Sequence, residues 1–176
     1  GTIIQGCMSY SNYWDMYLSG MHRCVIEGNV GYSCYIASIY LLSTSDYSVI
    51  ANNAVYSASY YGIYANGAKN NTITGNSCSN CASYGIYLSG AQNTTVSSNS
   101  LCDDKAGVFC ASSAGIAITG NTCIRGTGIA SDYTENQYTI YLDSNCNSNL
   151  IVANNCKGKA PTISGGTGNI NEHNIV

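Results

Sequence analysis

Gly62-Ile63-Tyr64-Ala65-Asn66-Gly67, followed by Asn71-Thr72-Ile73-Thr74-Gly75-Asn76, is the stretch that decides the fold. It returns 23 residues later as Gly85-Ile86-Tyr87-Leu88-Ser89-Gly90 and Asn93-Thr94-Thr95-Val96-Ser97-Ser98-Asn99. Outward from this pair the same frame holds. Leading apolar residues stand at Met16, Ile39, Ile63, Ile86, Val108 and Ile140. Ten residues on, or eleven in the last unit, come Ile26, Val49, Ile73, Val96, Ile118 and Ile151. Three further on comes an asparagine: Asn29, Asn52, Asn76, Asn99, Asn121 and Asn154. Self-similarity at a period of 22 to 24 residues marks an architecture in which each unit buries its apolar face against its neighbours.

Each unit holds short stretches of period-2 alternation. Ile86-Tyr87-Leu88 alternates apolar and aromatic; Thr72-Ile73-Thr74, Thr95-Val96-Ser97 and Ala117-Ile118-Thr119 alternate polar and apolar. Alternation with β-branched and aromatic residues reads as strand, and the intervening Gly, Ser, Asn and Ala read as turns. No window carries the 3.6-residue pattern of a helix. One unit is therefore one turn of a coil, and stacking turns about 4.8 Å apart pairs every strand in parallel with its equivalents. The expected fold is an all-β, single-stranded parallel β-helix of about 6–8 coils without a capping helix, forming a single domain over residues 1–176. Residues 125–137 interrupt the period and are expected to project as a loop. Partial units precede (Thr2-Ile3-Ile4-Gln5-Gly6) and follow (Thr162-Ile163-Ser164 to Asn169-Ile170-Asn171) the six clear ones.

Across roughly residues 13–156 the repeat resembles the NosD-like and pectate-lyase-like carbohydrate-associated β-helix proteins, through Gly85-Ile86-Tyr87-Leu88 with Asn93-Thr94-Thr95-Val96 and Gly62-Ile63-Tyr64 with Asn71-Thr72-Ile73-Thr74-Gly75-Asn76. The resemblance implies the right hand and an inward, structural asparagine ladder. A fold of this kind hosts many functions, so function has to be argued from a site.

Alternation sorts the columns. Met16/Ile39/Ile63/Ile86/Val108/Ile140, Leu18/Leu41/Ala65/Leu88/Cys110/Leu142 and Ile26/Val49/Ile73/Val96/Ile118/Ile151 are expected inside. Tyr17, Tyr40, Tyr64, Tyr87, Phe109 and Tyr141 are expected outside, as a row of rings suited to sugars or to a neighbouring fibre. Trp14, Tyr61, Tyr84 and Tyr138, two residues before the leading positions, are expected inside as core filler.

Composition narrows the partners. The net charge is −3 and charged residues make up only 9%, against about 25% in ordinary domains. Six Lys and Arg form no basic stripe, so no nucleic-acid partner is expected. No 18-residue apolar run exists, so no membrane insertion is expected. Of ten cysteines, Cys110 reads as core, while Cys78 and Cys102, one coil apart, are disulfide candidates. Cys78-Ser79-Asn80-Cys81 has CxxC spacing but no second pair or histidine to complete a zinc set, so neither a metal nor a cofactor is expected. Asn70-Asn71-Thr72 and Asn93-Thr94-Thr95 match the N-glycosylation pattern at Asn70 and Asn93. These features favour an extracellular or cell-surface location.

No catalytic constellation emerges. Asp103-Asp104-Lys105 is the only local charged cluster, with Arg125 a coil away; His22 and His173 stand alone at opposite ends. A Thr/Ser array suited to ice begins at Thr72/Thr74 and Thr95/Ser97 but breaks at Val25/Glu27 and Ser48/Ile50. With no helical pattern at either end, the terminal coils offer unpaired edges. The expectation is a non-enzymatic structural subunit that stacks on itself head to tail through both terminal coils, with a carbohydrate-binding or carbohydrate-cleaving β-helix as the alternative and ice binding as a lesser one.

Overall fold

The computed structural model describes residues 1–176 and is a parallel β-solenoid with three sheets along its length. The first sheet has eight strands, Ile3–Gln5, Val25–Glu27, Val49–Ala51, Thr72–Thr74, Thr95–Ser97, Ala117–Thr119, Leu150–Val152 and Ile170–Glu172. Six three-residue strands, from Met8–Tyr10 to Thr122–Ile124, make the second. Seven strands, six of five or six residues from Trp14–Leu18 to Tyr138–Leu142 and the short Thr162–Ile163, make the third. All strand pairs are parallel and in register, Ile86 facing both Ile63 and Val108, and Val96 facing both Ile73 and Ile118. Residues 125–137 leave the stack between Thr122–Ile124 and Tyr138–Leu142 and carry one short 3-10 turn, Ala130–Asp132.

The coil closes because a left-handed residue turns the chain from the first sheet to the second. Gly28, Asn52, Gly75, Ser98, Gly120 and Ala153 all have φ between 55° and 65°. The residue after each is turned inward, and this is where the asparagine ladder lies. Asn29, Asn53, Asn76, Asn99, Asn121 and Asn154 are all buried. Each backbone N–H and each Nδ2 donates to Oδ1 of the next asparagine at 2.9–3.0 Å, from Asn29 to Asn174.

The register differs from expectation in one coil. Val49 is 36% exposed, and Ile50 takes the inward place, fully buried and opposite Ile26 and Ile73. Asn53, not Asn52, therefore enters the ladder. The turn after Leu41 holds one residue more than its neighbours, and the doublets Val49-Ile50 and Asn52-Asn53 hide the slip.

The alternation also breaks at the entry to the third sheet. Gly62 and Ile63 are both buried, as are Gly85 and Ile86, so two successive residues face in and Tyr61 and Tyr84 are turned out. The rings expected as core filler are thus on the surface, with Trp14 exposed and Tyr138 half-buried. Glycine makes this possible: a Cβ on Gly62 would lie 2.5 Å from the Gly85 carbonyl oxygen and 2.8 Å from Cys78 Sγ. Gly62→Ala is expected to destabilise the coil by about 2–3 kcal/mol, the usual cost of an overpacked core. Urea denaturation measures it, and an unchanged midpoint would refute the close approach.

Candidate functional site

The outer face of the third sheet carries two adjacent aromatic columns. In the first, Tyr40–Tyr64 and Tyr64–Tyr87 stack with centroids 4.7 and 4.8 Å apart, and Phe109–Tyr141 stacks at 4.7 Å. Tyr17 meets Tyr40 edge-on at 5.3 Å, and Tyr87 meets Phe109 edge-on at 5.7 Å. All six rings expected outside are therefore there, in one row. The second column is Trp14, Tyr61, Tyr84 and Tyr138, interrupted by Ala37 and Ala106. Its rings lean on the first: Trp14 on Tyr17 at 4.9 Å, Tyr61 on Tyr64 at 5.0 Å and Tyr138 on Tyr141 at 4.5 Å. Packing of this kind desolvates the phenols. Burial, then the neighbouring tyrosines, pushes Tyr64 up to about 12 and raises Tyr61 and Tyr84. The hydroxyls thus remain neutral donors and acceptors, and Tyr40 already accepts from Asn66 Nδ2 at 2.9 Å.

Ala106 opens a notch in this face. Tyr84 slides over Phe109, 4.3 Å away, and leaves a hollow of about 240 Å³ lined by Tyr84, Lys105, Phe109, Asn136, Tyr138 and Tyr141. Lys105 is shared with a second hollow of about 290 Å³ whose charged lining is Asp103, Arg125 and Glu135. The loop 125–137 is the wall of both. It is held by Asp132 Oδ2, which accepts from the Thr127 and Ile129 backbone N–H groups, and by Arg125 Nη1, which donates to the Asp103 and Asp104 carbonyls at 3.2 Å. Lys159 Nζ sits 4.6 Å above the Tyr138 ring.

Asp104 points away from this hollow, into the coil. Its Oδ1 accepts from the Cys81 backbone N–H at 2.7 Å and its Oδ2 has no partner. Burial pushes its carboxyl from the usual 3.8 up to about 8. Of the charged cluster seen in sequence, Asp103, Lys105 and Arg125 therefore reach the surface while Asp104 does not.

All ten cysteines are free thiols. Cys78 is aligned with Leu101 and faces in, whereas Cys102 is aligned with Ser79 on the outer face. The expected Cys78–Cys102 bridge fails by one residue of register, which in a strand means the opposite side. Cys110 is core, as its column requires, and burial pushes it and Cys78, Cys81 and Cys123 well above the ordinary thiol value. Asn70 and Asn93 both sit at left-handed corners, Asn70 half-buried and Asn93 exposed.

His, Cys, Asp and Glu nowhere gather into a group of three able to hold a metal. Sulfur does gather. The chain's three methionines, Met8, Met16 and Met21, line one hollow of about 370 Å³ with Cys7 at the first coil. The confinement of every Met to residues 8–21 is the signal of this cluster in the sequence, one that cysteine and histidine spacings do not carry.

Among proteins of curated function, none is similar in sequence. Among solved structures, the Dettilon tailspike protein (gp208) is 17% identical over 91% of this chain and 39% of its own, with a TM-score of 0.62. The A-module of the Azotobacter vinelandii mannuronan C-5 epimerase AlgE6 is 17% identical over 99% of this chain and 53% of its own, with a TM-score of 0.60. The chain thus spans about two fifths and half of these proteins, and at such identity the likeness is one of fold. A family profile matches residues 1–150, most of the chain. With the asparagine ladder and the repeat in register throughout, this match means that the chain belongs to the family described as periplasmic copper-binding protein (NosD).

Proposed function

We propose that the chain is a glycan-binding rod of the cell envelope or exterior, whose third sheet lays aromatic rings along a polysaccharide. The observation that carries this reading is the unbroken row of six rings from Tyr17 to Tyr141, flanked by a second, interrupted column with a notch that Lys105 and Asn136 border. Sugar rings stack on aromatic faces, and rings repeating at nearly 4.8 Å give many equivalent footholds along a chain. One of the fold neighbours belongs to a mannuronan C-5 epimerase, which agrees with this reading but does not carry it. The family's periplasmic description supports the location.

Tyr64→Ala/Tyr87→Ala is expected to lower affinity for a glycan found on an array about 5- to 150-fold, at about 0.5–1.5 kcal/mol per lost stack. Tyr32→Ala/Tyr56→Ala, a stacked pair 5.0 Å apart on the second sheet, is the control and is expected to leave affinity unchanged. Equal affinities in all three proteins, measured calorimetrically, would remove the proposal. Release of unsaturated or shortened sugars during the assay would add a reaction to the binding.

Head-to-tail stacking into a fibre has less physical support. Setting the first coil on the last would bring Ile4 against Asn171 and Cys7 against Asn174, by the registers of their columns. An apolar place would meet a polar one, and the ladder would meet a residue with no amide oxygen. Asn171 already accepts from Asn174 Nδ2 at 2.7 Å.

Copper, which the family's description names, is favoured as a second ligand by one observation: the thioethers of Met8, Met16 and Met21 and the thiol of Cys7 around a single hollow. Thioether and thiolate sulfur suits copper in its +1 state. The histidines do not fit such a role, because His22 and His173 lie at opposite ends and both are exposed.

A further inference from the structure

Charge is sparse on this chain and unevenly placed. Four of its six Lys and Arg residues, Lys105, Arg125, Lys157 and Lys159, stand around the base of the loop 125–137. The six strands that carry the aromatic row hold no Lys, Arg or Glu. Their single carboxylate, Asp15, already accepts from Ser9 Oγ at 2.6 Å and from Ser38 Oγ at 2.7 Å. The row is therefore neutral along its length until it reaches the notch.

Among the four cations at the loop, Lys105 stands apart. Arg125 Nη1 is committed to the Asp103 and Asp104 carbonyls, and Lys159 Nζ to the Gln137 carbonyl. Lys157 runs along the loop at Gly128 and lines neither hollow. Lys105 is exposed, lies one residue before the strand Ala106–Ala111 and lines both hollows. In the other coils its column holds Tyr60, Ser83 and Gln137, so the cation occurs there once. It joins no ion pair, since the chain's single one is that of His173 with Glu172. Asp104, the residue before it, is turned into the coil, and burial pushes its carboxyl up to about 8. That group is thus uncharged at neutral pH and does not offset the ammonium.

The two hollows differ in sign. The one beside Arg125 holds the carboxylates of Asp103 and Glu135. The notch holds none: its polar groups are the Lys105 ammonium, the Asn136 amide and the phenols of Tyr84, Tyr138 and Tyr141. An unpaired ammonium beside stacked rings suits a sugar unit that carries a negative group, which lysine meets as a point charge. At about 240 Å³ the notch is smaller than the about 300–1,000 Å³ of an ordinary ligand pocket, so it takes one unit rather than a run of them.

Resting on the glycan reading above, we propose that the notch is a subsite for a single anionic sugar unit, bearing a carboxylate or a sulfate ester, whose charge pairs with Lys105 while neutral units lie along Tyr40, Tyr64 and Tyr87. The polymer this face prefers is one whose acidic units are spaced apart. A polymer acidic at every unit is disfavoured, because it would press unpaired anions against rings that offer no cation.

The test is an array of neutral oligosaccharides, the same backbones with one glucuronate or one sulfate ester, and all-uronate oligomers. The 176-residue chain is expected to bind the singly acidic members at least about fivefold more tightly than the neutral ones, the upper end for one exposed pair. That preference is expected to shrink as salt rises from about 0.01 M to about 1 M and the screening length falls from about 30 to about 3 Å. Lys105→Gln is expected to remove the preference and Lys105→Arg to keep it. Lys69→Gln, beyond the far end of the strand Tyr61–Asn66, is expected to leave it as it was. Whichever of the glucuronate and sulfate preferences is lost in Lys105→Gln identifies the anionic group. Three results would each overturn the subsite: no preference over neutral members, tightest binding by the all-uronate oligomers, or a preference that survives Lys105→Gln. The glycan reading would still stand wherever Tyr64→Ala/Tyr87→Ala weakens binding. An unaltered chain that binds no member of the array would overturn both.

Discussion

Alanine in place of Asn76 is expected to cost the coil about 2–6 kcal/mol. Asn76 Oδ1 accepts from the backbone N–H and Nδ2 of Asn53, and its own Nδ2 donates to Asn99 Oδ1 and to the Ile50 carbonyl. Truncation strands the buried Asn53 N–H and the Ile50 carbonyl, and each orphaned buried group costs about 1–3 kcal/mol. Asn52→Ala is the informative partner experiment. Asn52 is exposed at φ 55°, so its replacement removes only a residue tolerant of the left-handed region, at about 1–2 kcal/mol or less. Asn53→Ala is expected to behave as Asn76→Ala does. Urea midpoints for the three variants decide the register directly, and similar losses at 52 and 53 would refute the ladder as drawn.

Asp104→Asn is expected to reshape the pH dependence of stability. Burial pushes the Asp104 carboxyl from 3.8 up to about 8, so the folded chain holds a proton that the unfolded chain releases near pH 4. Its stabilising contribution is complete below about pH 4, declines as pH rises, and is lost once pH passes the folded value. At about 1.4 kcal/mol per unit between the two values, the decline amounts to about 6 kcal/mol by pH 9. Asparagine keeps the Oδ1 acceptor for the Cys81 N–H but sets an amide where Oδ2 has no partner, a cost of about 1–3 kcal/mol. The curves are therefore expected to cross: the variant is weaker at pH 3 and stronger at pH 9. Denaturation at pH 3, 7 and 9 checks it. Parallel curves would mean that Asp104 does not carry a buried proton.

The course of the chain was legible in its sequence because a solenoid writes its fold as a period. Ile63, Ile86, Val96 and Ile118 could be placed on the core face from spacing alone, and Tyr40, Tyr64 and Tyr87 on the outer one. What spacing could not settle was where the period slips. Val49 and Ile50 are both apolar and β-branched, so either fits the strand, and only the length of the preceding turn chooses between them. Nor could it show that Gly62 and Gly85 fold inward beside Ile63 and Ile86, because the break in alternation depends on how close two coils pass. That break moved Tyr61, Tyr84 and Tyr138 from the core to the surface and doubled the candidate face. The sulfur cluster was missed for a different reason. Met8, Met16 and Met21 follow no metal-binding spacing, and only the closed loop of the coil brings them to Cys7.

The asparagine ladder has a further consequence, which is electrical. Every amide oxygen from Asn29 to Asn154 accepts from the earlier coil, and each Nδ2 donates to the asparagine of the later coil as well as back to a carbonyl of the earlier one. Amide dipoles aligned head to tail add, as they do along an α-helix, and neighbouring hydrogen bonds in such a chain polarise one another. A rod with only 9% charged residues therefore still has a direction, in which the ladder's amide oxygens face the earlier coil throughout.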